Sequence, residues 1–111
     1  MSRTLSPQEL RATLVNRKDV MLLDVRRQSD YDADGQKIPD AVWRNPDEIA
    51  QWSAALPKGK EFVVYCVRGG SVSNAVVDHL LGKQFKARYI EGGIEAWKVS
   101  GGLTVDQDTQ A

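Results

Sequence analysis

The chain has 111 residues, one domain of ordinary size, long enough to cover a sheet on both faces and too short for two cores. Lysine and arginine, 15 in all, balance 15 aspartates and glutamates, so there is no global field to gather nucleic acid or an anionic membrane. Hydrophobic residues make up 41%, yet no stretch approaches a membrane span and Met1 to Glu9 hold no apolar signal core, which points to a cytoplasmic globular protein.

Ser6-Pro7-Gln8-Glu9 writes a helix start: a capping hydroxyl, a proline at the first helical position and a glutamate placed to close a capping box. A helix over Pro7 to Asn16 follows. Met21 to Val25 and Ala41 to Trp43 read as strands. Asn45-Pro46-Asp47-Glu48 repeats the capping pattern and predicts a second helix from Pro46 to Ala55, stopped by Pro57 and Gly59. The apolar run Phe62 to Tyr65 reads as a buried strand. A third helix begins at Ser71 with Val72, Ala75, Val76 and Leu80 on one face and Gly82 as its terminator. Arg88 to Ile90 forms a strand, and a short helix with Ile94, Ala96 and Trp97 follows Gly92-Gly93 and ends at Gly101-Gly102. Residues 1–103 make the domain, and Thr104 to Ala111 a polar, frayed tail. Alternating strands and helices imply an α/β fold, a parallel sheet with helices on both faces whose ligands gather at the carboxyl ends of the strands.

Cys66 stands at such an end, where a strand hands over to a helix N-terminus through Val67-Arg68-Gly69-Gly70. A lone strand-end cysteine is commonly a small core hydrophobe. Here the paired glycines let the loop turn its amides inward, and the helix dipole and Arg68 favour thiolate over thiol. It is the only cysteine, which excludes an internal disulfide, a resolving thiol and a cysteine-based zinc cluster. Whatever Cys66 accepts must leave to an outside molecule. No cofactor or metal is expected.

Asp24, Arg26 and Arg27 follow a strand and could form an acid–base or substrate-binding group; a buried carboxylate at Asp24 accepting backbone hydrogen bonds, with Arg26 in the same structural network, is the preferred reading. His79, the only histidine, lies two turns down the helix after Cys66, more than about 10 Å away, and is not its base. Trp43, Trp52 and Trp97 are core or rim aromatics, with Arg44 a second anion contact at the mouth of the site.

Four segments in order, Leu22-Leu23-Asp24-Val25-Arg26, Ile38-Pro39-Asp40-Ala41, the loop from Cys66 to Ser71, and Glu91-Gly92-Gly93-Ile94-Glu95-Ala96-Trp97, resemble a single-domain rhodanese, a sulfurtransferase, over nearly the whole chain. The resemblance implies a three-layer α/β/α fold with a five-stranded parallel sheet, its short first strand around Arg3 to Leu5. It implies that Cys66 carries a persulfide, that Val67, Gly69, Gly70 and Ser71 belong to the loop whose amides surround the sulfur, and that Arg68, standing where thiosulfate-using members often carry a basic residue, acts with Cys66 by holding the thiosulfate dianion and its sulfite leaving group with its guanidinium fork. Ser71 either donates to the thiolate or caps the helix. Gly35 to Ala41 departs from the family: it lacks the histidine that commonly precedes Ile-Pro and is one residue longer, which bears on loop geometry.

The implied reaction takes sulfur from thiosulfate or a related small donor and gives it to cyanide, a thiol or a sulfur-accepting protein, with no nucleic acid or membrane involved. Two other functions stand beside it. Phosphatases and arsenate reductases of related fold use a Cys-x5-Arg loop, but the sixth position after Cys66 is Val72, so the loop is sized for sulfur. A non-catalytic sulfur carrier or regulatory binding module would keep the fold without turnover.

Overall fold

The computed structural model describes residues 3–17 and 19–107. The chain runs β1 (Thr4–Leu5), α1 (Pro7–Asn16), β2 (Val20–Asp24), α2 (Gln28–Asp34), β3 (Gln36–Lys37), β4 (Val42–Trp43), a 3₁₀ turn (Pro46–Glu48), α3 (Ile49–Ala54), β5 (Glu61–Tyr65), α4 (Ser71–Gly82), β6 (Lys86–Ile90), α5 (Gly93–Val99) and β7 (Val105–Asp106). Five strands form one parallel sheet in the order β1-β6-β5-β2-β4, as expected. Among the described residues no helix is long and apolar enough to cross a membrane.

The strand period of two sorts the side chains into two cores. Leu22, Val63, Tyr65 and Ile90 pack with Leu10 of α1 and Ile94 and Trp97 of α5. Leu23, Phe62, Val64 and Ala87 pack on the other face with Val76, Val77 and Leu80 of α4, and with Ile49 and Trp52 of α3. Every residue of β5 is buried, because this strand lies between β6 and β2 with helices over both faces. Its end is therefore the best-anchored exit from the sheet, and Cys66 is the next residue.

α1 has the expected bounds and capping box: Glu9 N donates to Ser6 Oγ at 3.1 Å, and Ser6 N donates to Glu9 Oε1 at 2.9 Å. The second capping signal forms only in part. Asn45 Oδ1 accepts from Asp47 N at 3.0 Å, and the first turn winds as 3₁₀ before α3 begins at Ile49. Gly82 is the last residue of α4 rather than the residue that stops it; the left-handed residue is Gln84, at φ 70°. Ala75 proves exposed, and Val77 and Ser73 are buried in addition to Val76 and Leu80.

Three elements were not expected: α2, and the short strands β3 and β7 that pair with each other. α2 buries none of its residues, so no apolar period announces it; charge and aromatic contacts hold it instead, with Tyr31 stacked on Trp43 at 4.9 Å between ring centroids. The polar tail is ordered at its start, since Val105–Asp106 pairs antiparallel with β3, while residues 108–111 lie outside the described residues. Where the family histidine is missing, Lys37 is buried and its Nζ donates to the Ala41 carbonyl at 2.8 Å, closing the turn through Asp40. An ammonium donor thus bridges the turn in the departing loop.

Candidate active site

Below the carboxyl ends of β2 and β5 lies a buried charge cluster. Asp24 Oδ1 accepts from the Arg26 backbone N and from its Nε, both at 3.0 Å, and Oδ2 accepts from Arg26 Nη2 at 2.7 Å and from the Tyr65 hydroxyl at 3.0 Å. Arg26 continues to Asp34 Oδ2 at 2.8 Å and to the Gln36 carbonyl at 2.8 Å. Its side chain is 1% exposed. Burial alone would lower the Arg26 pKa, but hydrogen bonds and charge from Asp24, with Asp34 behind it, hold the guanidinium above its ordinary range. Tyr65 is pushed upward, first by burial and then by the negative charge of Asp24. The expected structural network around Asp24 is therefore present, and it fixes the register of the two strand ends that carry the site.

Cys66 follows directly and is 6% exposed. Its carbonyl accepts from Ile94 N at 3.0 Å, and the Val67 carbonyl accepts from Glu95 N at 3.2 Å, so the loop rests on the start of α5. Close approach makes this possible. Gly93, at φ 62°, has no room for a side chain, because a Cβ there would lie 2.5 Å from the Val67 carbonyl carbon and strike the Cys66 carbonyl. Gly69, at φ 72°, meets the same turn from above: its Cβ position would be 2.9 Å from Gly92 N and Ile90 O. Left-handed backbone and contact both require glycine at these two places.

Above the sulfur is an open hollow of about 400 Å³ lined by Arg26, Arg27, Asp30, Cys66, Val67, Arg68, Gly70, Ser71 and Val72. The expected loop residues thus gather at Cys66, with one exception. Gly69 is not a wall of the hollow but the hinge on which the loop leans against β6 and α5. Gly70 holds the N-cap position of α4, so Ser71 is the first helical residue and does not cap it. Val72 closes the wall where a phosphatase loop would place arginine.

Arg68 is 80% exposed and donates from Nε to Glu95 Oε2 at 3.0 Å, so its charge is shared with a carboxylate at the rim. Arg44 does not reach the hollow. Its backbone N donates to the Asp24 carbonyl at 2.9 Å and its Nη1 to the Trp43 carbonyl at 3.1 Å. The cation that sequence reasoning set aside is Arg27, at the start of α2; it lines the hollow because that unforeseen helix swings it there. His79 is elsewhere, with Nε2 3.2 Å from Ser53 Oγ, in a neighbouring groove of about 460 Å³ that shares Arg27, Ser71 and Val72 with the cysteine's hollow. Trp97 is a core residue, whereas Trp43 is a rim aromatic whose Nε1 donates to the Arg26 carbonyl at 2.9 Å.

Comparison with known proteins agrees with this geometry. The family profile described as Rhodanese-like domain matches residues 6–100. The chain is 35% identical over 86 residues to the thiosulfate sulfurtransferase GlpE of Coxiella burnetii, spanning 77% of this chain and 78% of that one. It is 30% identical over 98 residues to a sulfurtransferase of Allochromatium vinosum, spanning 87% and 89%. A crystal structure of a rhodanese-related protein from Thermoplasma volcanium superposes with a TM-score of 0.81 at 23% identity, covering 94% of this chain and 98% of the other, which establishes likeness of fold.

Proposed function

The chain belongs to the rhodanese-like domain family of sulfurtransferases, and on that premise we propose that it moves sulfane sulfur from thiosulfate or a related donor through a persulfide on Cys66. The observation that carries this is the position of Cys66: a single thiol at the end of the most buried strand, opening into a hollow walled by a glycine-bearing loop, a helix start and arginines.

The reaction follows from those parts. The Cys66 thiolate attacks the outer sulfur of thiosulfate; the S–S bond of the donor breaks, its electron pair leaves with sulfite, and Cys66 keeps one extra sulfur. Cyanide or a thiol, free or carried by a protein, then attacks the terminal sulfur and releases the Cys66 thiolate. The uncapped start of α4, with Ser71 in the wall of the hollow, offers its positive end to the anionic donor and the departing sulfite. The thiol must be reduced to begin the cycle, which suits the cytoplasm.

Intact mass after incubation of the reduced protein with thiosulfate tests the proposal. The expected result is a gain of one sulfur atom that a reducing thiol removes and that Cys66→Ala abolishes without loss of fold. A chain that gains no sulfur from thiosulfate, or gains it equally in Cys66→Ala, refutes it.

A further inference from the structure

We infer that Arg27, rather than Arg68, holds the anionic end of the sulfur donor; the inference rests on the sulfur-transfer reading above and specifies which residue recognises the substrate. Three arginines line the hollow over Cys66, and their charges are in different states. Arg26 is buried and saturated by Asp24, Asp34 and a backbone carbonyl. Arg68 is bound to Glu95. Arg27 is exposed, and among the described residues its guanidinium has neither an ion pair nor a side-chain hydrogen bond; only its backbone carbonyl is engaged, by Tyr31 N at 2.9 Å.

A dianion entering the hollow must displace a carboxylate or carbonyl to use Arg26, and at Arg68 it meets a guanidinium whose charge is already shared with the Glu95 carboxylate. Arg27 can bind it at once, with a planar fork suited to two oxygens of a sulfonate. Asp30, one turn along α2, lies in the same wall and does not pair with Arg27; its charge repels a donor that drifts to that side and biases the anion toward Arg27 and the start of α4. Arg27 also lines the adjoining groove with Ser71 and Val72, so the cation stands at the junction of both openings. Its position is fixed by its neighbour: Arg26 is turned fully inward to Asp24, which leaves Arg27, the N-cap residue of α2, facing outward.

Two measurements test this on the full chain. The first is single-turnover sulfur loading from thiosulfate. Arg27→Ala should lose about ten- to a hundredfold in loading efficiency, the range for one charge-assisted contact, with Arg27→Lys recovering part of it and Arg68→Ala losing about threefold or less. The second needs no sulfur transfer: the ratio of Cys66 alkylation rates with iodoacetate and iodoacetamide, an anionic and a neutral reagent of one size. That ratio should fall several-fold in Arg27→Ala and stay near the wild-type value in Arg68→Ala. Unchanged loading and an unchanged ratio in Arg27→Ala, or a larger loss in Arg68→Ala, overturn the assignment. If wild type takes no sulfur from thiosulfate, the function proposal fails, while the alkylation ratio still decides whether Arg27 guides anions to Cys66. Arg27 is exposed and unpaired, so urea unfolding midpoints should coincide and exclude misfolding as the cause.

Discussion

The floor beneath Cys66 and the rim above it use the same residue types in opposite ways. In the floor, Arg26 is 1% exposed and shares two carboxylates, a tyrosine neighbour and a carbonyl acceptor. On the rim, Arg68 is 80% exposed and keeps one carboxylate partner in water. Charge that is dry and fully partnered sets geometry and tolerates no loss of a member; charge in water contributes little to stability and is available to an incoming anion. The loop between them connects a rigid base to a chemically open surface.

The strongest challenge to this contrast is Arg26→Met. It strands Asp24 in the interior, and denaturant unfolding should show a loss of about 3–5 kcal/mol, of which Asp24→Leu added to it should restore a large part. A loss no greater than that of an average surface substitution would erase the distinction between floor and rim. Next in size is Gly93→Ala, where a methyl group meets the Cys66 and Val67 carbonyls in left-handed backbone; stability should fall by about 1–3 kcal/mol and sulfur loading with it. Gly82→Ala, with open space around it at the end of α4, should instead gain up to about 1 kcal/mol.

The floor also has a pH signature. Tyr65 titrates above its ordinary value, so the folded state keeps its proton while the unfolded chain releases it. The stability Tyr65 contributes is intact below the unfolded pKa of about 10 and is lost as pH rises from there toward the higher folded pKa. Unfolding free energy should drop by up to about 1.4 kcal/mol per pH unit more steeply in wild type than in Tyr65→Phe over that window. Equal slopes would mean that Tyr65 ionises in place. The smallest effect belongs to the rim: Arg68→Ala should change stability by less than about 1 kcal/mol, measured by the same unfolding curves.

The sequence was most legible where local chemistry and global packing agree. Ser6 and Glu9 cap α1 through contacts that lie within four residues of each other, and the apolar run ending at Tyr65 could only be a buried strand. α2 was hidden because its partners are distant: Asp34 meets Arg26 and Lys98, and Tyr31 meets Trp43, none of which produces a period within Gln28–Asp34. β7 was hidden for the same reason, since its pairing partner Gln36–Lys37 lies far back in the chain. Missing α2 had a direct cost at the site. Without that helix, Arg44 next to Trp43 looked like the second cation, whereas the helix delivers Arg27. A spacing signal was present in Arg26-Arg27: when one of two adjacent arginines is turned inward by a carboxylate two residues back, the other is left facing out.

Two helix starts flank the sulfur, and they are engaged differently. At the start of α5 the Ile94 and Glu95 amides are spent on the carbonyls of Cys66 and Val67, which fastens the loop. The start of α4 carries no side-chain cap. In the proposed reaction, donor, departing sulfite and acceptor would therefore share one approach to Cys66, between α2 and α4, and each would have to clear it before the next arrives.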